Sequence, residues 1–287
     1  MSFQTIRPDT WEELHTQLFE NDWDEELKRH RSTCVFRGMT NSNWGLDTSL
    51  QRLGGPIQDI EYHLLRNFKK YAHRNVVERD SFWNWLTVAQ HHGVPTRLLD
   101  WTYSPYIALH FATDNISSMN IDGVVWVVDM PSVHGLLPNA LKEHLRNEGS
   151  FVFTTEMLEN FSQTGIKQSR EGNTINIDMF ASSISSLRDF GGLHHKDFGL
   201  FFEPSSIDDR VVNQFALFSV FSGCRIPIHD WLSSNQIVAK KIIVPASLKW
   251  KVRDRLDQSN ITERVIYPGL DGLATWLKRH YSKGPEN

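Results

Sequence analysis

The chain has only two cysteines, Cys34 and Cys224, in 287 residues. Two cysteines without a secretory leader argue against a disulfide scaffold, and they are too few for a cysteine-rich zinc site. No apolar run approaches the roughly 20 residues that a membrane-spanning helix needs. The N-terminus, MSFQTIRPDTWEELH, reads as the start of an amphipathic helix rather than a signal peptide. The cytoplasm is therefore the expected compartment, and no membrane partner is expected. A basic surplus is also missing, with 30 Lys and Arg against 34 Asp and Glu. That balance argues against indiscriminate polyanion binding and leaves a local basic groove open. The phosphate loop G-x-x-x-x-G-K-[ST], the G-x-G-x-x-G turn, H-E-x-x-H and G-x-S-x-G are all absent. DFG occurs twice, at 189–191 and 197–199, without the H-R-D loop that would give it meaning. The 13 histidines include the pairs His91–His92 and His194–His195. Adjacent residues leave an element on different sides, so neither pair is a metal site and none is expected.

What is present describes an ordinary globular chain, 40% apolar and 22% charged. It has no repeat, linker or low-complexity tract, so one domain is expected over 1–287, opening with a helical segment in 1–30. Thr10 and Glu13 form a capping box before an apolar face of Trp11, Leu14 and Leu18. A helix is predicted over about 58–73, with Ile60, Leu64, Phe68 and Tyr71 as its buried stripe. Another starts near Ser81 and ends before Gly93. Ser104 and Pro105 supply an N-cap and an N1 proline for PYIALHFAT. Strands are predicted at 34–38, 97–101, 123–130, 200–204, 214–221 and 237–245, and two helices at about 246–257 and 270–282. Residues 131–198 are more polar and read as an elaboration on the core. Strands and helices mix without βαβ alternation, which predicts an α+β fold.

Two stretches concentrate chemistry. In CVFRG, residues 34–38, a buried strand ends in Arg37, whose guanidinium needs anionic partners inside a core. Gly38 then marks a turn or a close approach to the main chain. In AQHHGVPTRLLDWTYSPYIALHFAT, residues 89–113, the polar groups Gln90, His91, His92, Arg97, Asp100, Thr102 and Ser104 sit among core formers. Alternation puts Asp100 and Thr102 on one strand face, near a helix N-terminus. The structural alternative is an Arg97–Asp100 ion pair holding the strand-to-helix corner. Trp44, Trp83, Trp85 and Trp101 suit base stacking or, at helical spacing, core.

FRG at 36–38, the block 89–112 and RVVNQFALF at 210–218 resemble the three motif blocks of the FRG domain family, over a span from about residue 30 to 277. The order of elements also resembles, more distantly, ADP-ribosyltransferases of the arginine–serine–glutamate type. That likeness implies an NAD site on a mixed or antiparallel sheet. By the same likeness Arg37 clamps phosphate and Gly38 lets the cofactor pass. His91, Arg97, Asp100 and Arg210 line the site, and Thr102 supports the nicotinamide ribose. The third role falls to Gln214, which lacks charge, or to Glu203. The implied activity is transfer of ADP-ribose from NAD to a protein or nucleic acid, as in a bacterial toxin or anti-phage effector. A non-catalytic nucleotide- or nucleic-acid-sensing module and an NAD glycohydrolase are the alternatives on the same pocket.

Overall fold

The computed structural model describes residues 4–20, 22–72, 81–162, 187–205, 209–223 and 226–284. Ten strands occur among them. They are β1 Gln4–Ile6, β2 Trp23–Asp24, β3 Arg29–His30, β4 Cys34–Met39, β5 Leu99–Thr102, β6 Gly123–Asp129, β7 Phe153–Thr154, β8 Gly199–Glu203, β9 Ala216–Phe221 and β10 Ala239–Val244. Eight of these form one mixed sheet in the order β1-β10-β6-β4-β5-β9-β8-β7, and β2 pairs with β3. Helices cover the sheet, among them α1 Trp11–Leu18, α2 Ser49–Leu53, α3 Ile57–Ala72, α4 Phe82–His91 and α5 Pro105–Thr113. The fold is α+β, as the irregular strand–helix order predicts.

The middle of this sheet is its weakest seam. β4 follows β6 over six register pairs, Cys34↔Asp129 to Met39↔Val124, and β5 follows β9 over four, Leu99↔Ser219 to Thr102↔Ala216. Between β4 and β5 a single pair is formed, Phe36↔Thr102. Beyond it the strands part, and the sheet forks into two halves of four strands.

The cores mirror that division. One face carries a continuous cluster across both halves, with Val35, Met39, Leu99, Trp101, Trp126 and Leu217 among its members. On the other face Phe36, Val125 and Val127 pack against α1, α5 and the helix Ala246–Gln258. Leu98, Leu200, Phe202 and Phe218 pack separately, against Trp83 and Leu86 of α4 and Leu141 and Leu145 of the helix Asn139–Asn147. Described parts of 131–198 thus contribute core residues, Leu137, Phe153, Met157 and Phe190 among them, and are more than a polar elaboration. Residues 163–186 of that stretch lie outside the described residues.

Local signals explain the elements that build the seam. Ser104 caps α5 by accepting from the Ile107 N–H, with Pro105 in the first turn. Ser81 does the same for α4 through Asn84. Thr10 caps α1, but the Glu13 carboxylate returns to the Asp9 N–H rather than to its own cap residue. A full capping box appears instead at Thr48 and Gln51, opening α2, for which no helix is predicted. Gly38 belongs to this packing and not to a cofactor path. A Cβ there would stand 1.7 Å from the Ala108 carbonyl oxygen, so α5 lies directly on the backbone of β4.

Two buried histidines set an acid limit on the fold. His110 on α5 is 0% exposed, and its Nδ1 accepts from the Arg253 guanidinium at 2.9 Å. Burial, helped by the Arg253 charge, pushes its pKa down to about 3. His134 accepts the Phe201 N–H at Nε2, and burial pushes it down to about 4. Both are neutral in the fold, so their contribution is complete above the free value of about 6.5 and is lost as pH falls through it. Asp114 acts in the opposite direction. Burial raises it to about 6, so its contribution is present at low pH and disappears as pH rises. The expected net result is a loss on the order of 1–2 kcal/mol per histidine between pH 7.5 and 5, partly offset by Asp114. Urea midpoints at the two pH values check this, and a flat profile would refute it.

Candidate functional site

Arg37 occupies the fork. Its neighbours Val35 and Met39 face the continuous core, which places Arg37 on that face by alternation. Where β5 has parted from β4, the guanidinium reaches across and donates from Nη1 to the Asp100 carbonyl at 2.6 Å. The Asp100 carboxylate stands 3.6 Å away, and the two side chains are 18% and 56% exposed. Burial pulls the Arg37 pKa below its ordinary value, opposed by Asp100 and reinforced by the nearby charge of Arg52. Its buried Nε has no hydrogen-bond partner among the described residues. A buried guanidinium N–H without a partner, near the charge of a second arginine, is an unsatisfied donor that the fold alone does not explain.

Asp100 is held from the other side. Gln90, at the end of α4, directs Nε2 at both carboxylate oxygens, 3.1 and 3.0 Å away, and its Oε1 accepts from the Thr96 hydroxyl at 2.6 Å. His91 follows on the same helix and meets His92 edge-on, with ring centroids 5.3 Å apart. Arg52 extends from α2, donating to the Asp47 carbonyl at 2.6 Å. The site therefore joins β4, β5, α2 and the end of α4. Sequence reading found Arg37 and Asp100 but assigned no role to Gln90 or Arg52. Gln90 carried a signal only as one of the polar residues in the 89–113 block. Arg52 carried none.

The other expected site residues lie elsewhere. Thr102 is 3% exposed, faces the same side as Phe36, and so does not share a surface with Arg37. Its hydroxyl donates to the Gln214 carbonyl at 2.8 Å and accepts the Ser104 N–H at 3.0 Å. Gln214 precedes β9 rather than lying inside it, and its amide donates to the Ile266 carbonyl at 3.2 Å. Arg210 lays its guanidinium over the Tyr267 ring at 5.1 Å. The 210–214 block thus grips the segment Glu263–Tyr267. Glu203 accepts from the Tyr103 hydroxyl at 2.9 Å, at the joined end of the β4–β5 pair. It stands three strand spacings, about 14 Å, from β4.

Arg97 corrects the expected ion pair. Its partner is Glu61 on α3, which takes Nε at 2.9 and 3.0 Å and also contacts Nη2. Nη1 donates to the carbonyls of Phe221 and Ser222 at 3.3 and 3.0 Å. With side chains 7% and 5% exposed, the pair stitches α3 to the end of β9. Of the tryptophans, Trp83, Trp85 and Trp101 are core, and Trp44 is 54% exposed.

Residues 32–120 match the family model of the FRG domain. This stretch of the chain is an FRG domain. It runs from β4 through β5 and α5, so both banks of the fork and the helix behind it belong to the FRG domain. Arg37, Gly38, Gln90, His91, Arg97, Asp100 and Thr102 fall inside the match, whereas Glu203, Arg210 and Gln214 fall outside it. No curated protein and no solved structure matches the chain at a significant level. Among the described residues no cluster of His, Cys, Asp or Glu is arranged to hold a metal ion, and no helix is long and apolar enough to cross a membrane.

Proposed function

We propose that the FRG domain binds NAD at the fork and that the protein transfers ADP-ribose from it to a macromolecular acceptor. The observation that carries this reading is the buried, unpartnered Nε of Arg37, near the charge of Arg52, where β4 and β5 share a single register pair. That donor set fits a phosphate or ribose oxygen better than it fits any protein group nearby. When bound, NAD supplies a glycosidic bond whose cleavage releases nicotinamide and passes ADP-ribose to the acceptor.

The chain's own groups divide the remaining work. Arg37 orients the phosphates with charge-assisted hydrogen bonds. Asp100, half exposed at the mouth of the fork, is the carboxylate within reach of a ligand held by Arg37. It accepts a hydrogen bond from a ribose hydroxyl, stays ionised, and offers negative charge where positive charge develops during glycosyl transfer. Gln90 fixes the direction of that carboxylate. The geometry favours Asp100 over Glu203 and Gln214 for this role, because Gln214 is spent on Ile266 and Glu203 stands beyond β9. Thr102 supports the ribose only indirectly, by tying β5 to Gln214 and to the start of α5. A toxin or anti-phage setting rests on the family likeness alone.

Incubation with NAD labelled in its adenylate phosphate tests the proposal. Label on a protein or nucleic acid is the expected result. Free labelled ADP-ribose would make the enzyme a glycohydrolase, and binding without turnover would make it a sensor. Asp100→Asn should lower turnover about 100-fold while NAD affinity stays within about threefold. Full turnover in that variant would remove Asp100 from the mechanism.

A further inference from the structure

The helix Leu270–His280 carries its apolar stripe on the outside. At 100° per residue, Leu270, Leu273, Ala274 and Leu277, with Tyr281 just past its end, fall within an arc of about 100°. That stripe faces solvent: Leu270 is 82% exposed, Leu273 37%, Leu277 39% and Tyr281 80%. The inward side carries Gly272 and Arg279 as its buried residues. A Cβ at Gly272 would stand 1.8 Å from the Tyr267 carbonyl oxygen, so the helix lies against the preceding turn. Arg279 binds Glu263 at 2.6 and 2.8 Å and Asp257 at 3.0 and 2.6 Å. An ionic clasp therefore holds the helix, and its hydrophobic face is left for something else.

We propose that this stripe pairs with the same stripe of a second copy of the chain, antiparallel about a two-fold axis. The sequence is close to a palindrome in the required sense. Leu273 and Leu277 mirror each other about residue 275, and Leu270 and Tyr281 mirror each other about a point half a residue further on, with Ala274 next to the centre allowing close approach. Exposed Asp271 and Lys278 lie on the same flank of the stripe. In an antiparallel two-fold pair like flanks meet, so Asp271 of each copy faces Lys278 of the other. A membrane surface would call for a polar face dominated by lysine and arginine, whereas this flank carries one charge of each sign.

One short helix per copy makes a small interface, so a weak dimer is expected, with a dissociation constant of about 10–100 µM. Sedimentation equilibrium on the full chain measures it. Leu273→Glu combined with Leu277→Glu should weaken the dimer at least about tenfold. Both side chains are partly exposed, and an unchanged thermal midpoint under dilute conditions will show that folding is intact. Asp271→Lys alone should weaken association about threefold to tenfold, and Asp271→Lys with Lys278→Asp should restore it. A wild-type chain that stays monomeric at about 200 µM overturns the proposal, whether a membrane or another segment covers the stripe instead. So does a dimer indifferent to all these changes.

Discussion

Arg97→Ala should lower the unfolding free energy by about 3–5 kcal/mol. Removal of the guanidinium strands the Glu61 carboxylate, 4% exposed, inside the α3–β5–β9 junction, and it also deprives the Phe221 and Ser222 carbonyls of a donor. The cost is that of an uncompensated buried charge, not the worth of the ion pair itself. Replacing both partners, Arg97→Met with Glu61→Leu, should therefore recover most of the loss. Urea titrations of the single and double variants decide the matter. A single variant within about 1 kcal/mol of wild type would mean that water already reaches Glu61.

Arg37→Ala should have the opposite profile. Its carboxylate neighbour Asp100 is 56% exposed and keeps Gln90, so no buried charge is orphaned. The stability cost is expected near 1 kcal/mol, that of one hydrogen bond to a main-chain carbonyl. NAD affinity, measured by calorimetric titration, should fall at least about 100-fold, because a charge-assisted contact in a shielded gap is lost. Retained NAD binding with a large stability loss would reverse the assignments and make Arg37 a structural residue.

That contrast shows what the sequence makes legible. Arginines 37 and 97 both stand beside strand formers, and nothing local distinguishes them. The difference is made by partners far along the chain, 36 residues away for Glu61 and 63 for the Asp100 carbonyl. The same blindness misread the two ends of α3, although Ile60, Leu64 and Phe68 are half-buried as expected. Apolar periodicity placed Tyr71 in its buried stripe, yet Tyr71 is 75% exposed and Glu61 is turned inward by Arg97. Short-range signals fared better. Ser104 with Pro105 locates α5, and the β-branched run at 123–129 locates the strand that carries β4 and β10. Thr102 was found through its strand and its position before a helix. Its hydroxyl partners are a main-chain N–H and a main-chain carbonyl, which no side-chain pattern announces.

The contact between Gly38 and α5 has a consequence for affinity. α5 leaves the end of β5 and crosses to lie on the backbone of β4, so one helix spans the two banks of the gap it backs. The spacing of β4 and β5 is thereby held by main-chain packing. The NAD proposed to bind there would meet Arg37 and Asp100 already spaced and would give up little free energy in ordering them, which is the thermodynamic meaning of preorganisation. On the proposed reading, affinity would be set chiefly by how well the ligand's shape and charge match two strands it cannot move apart.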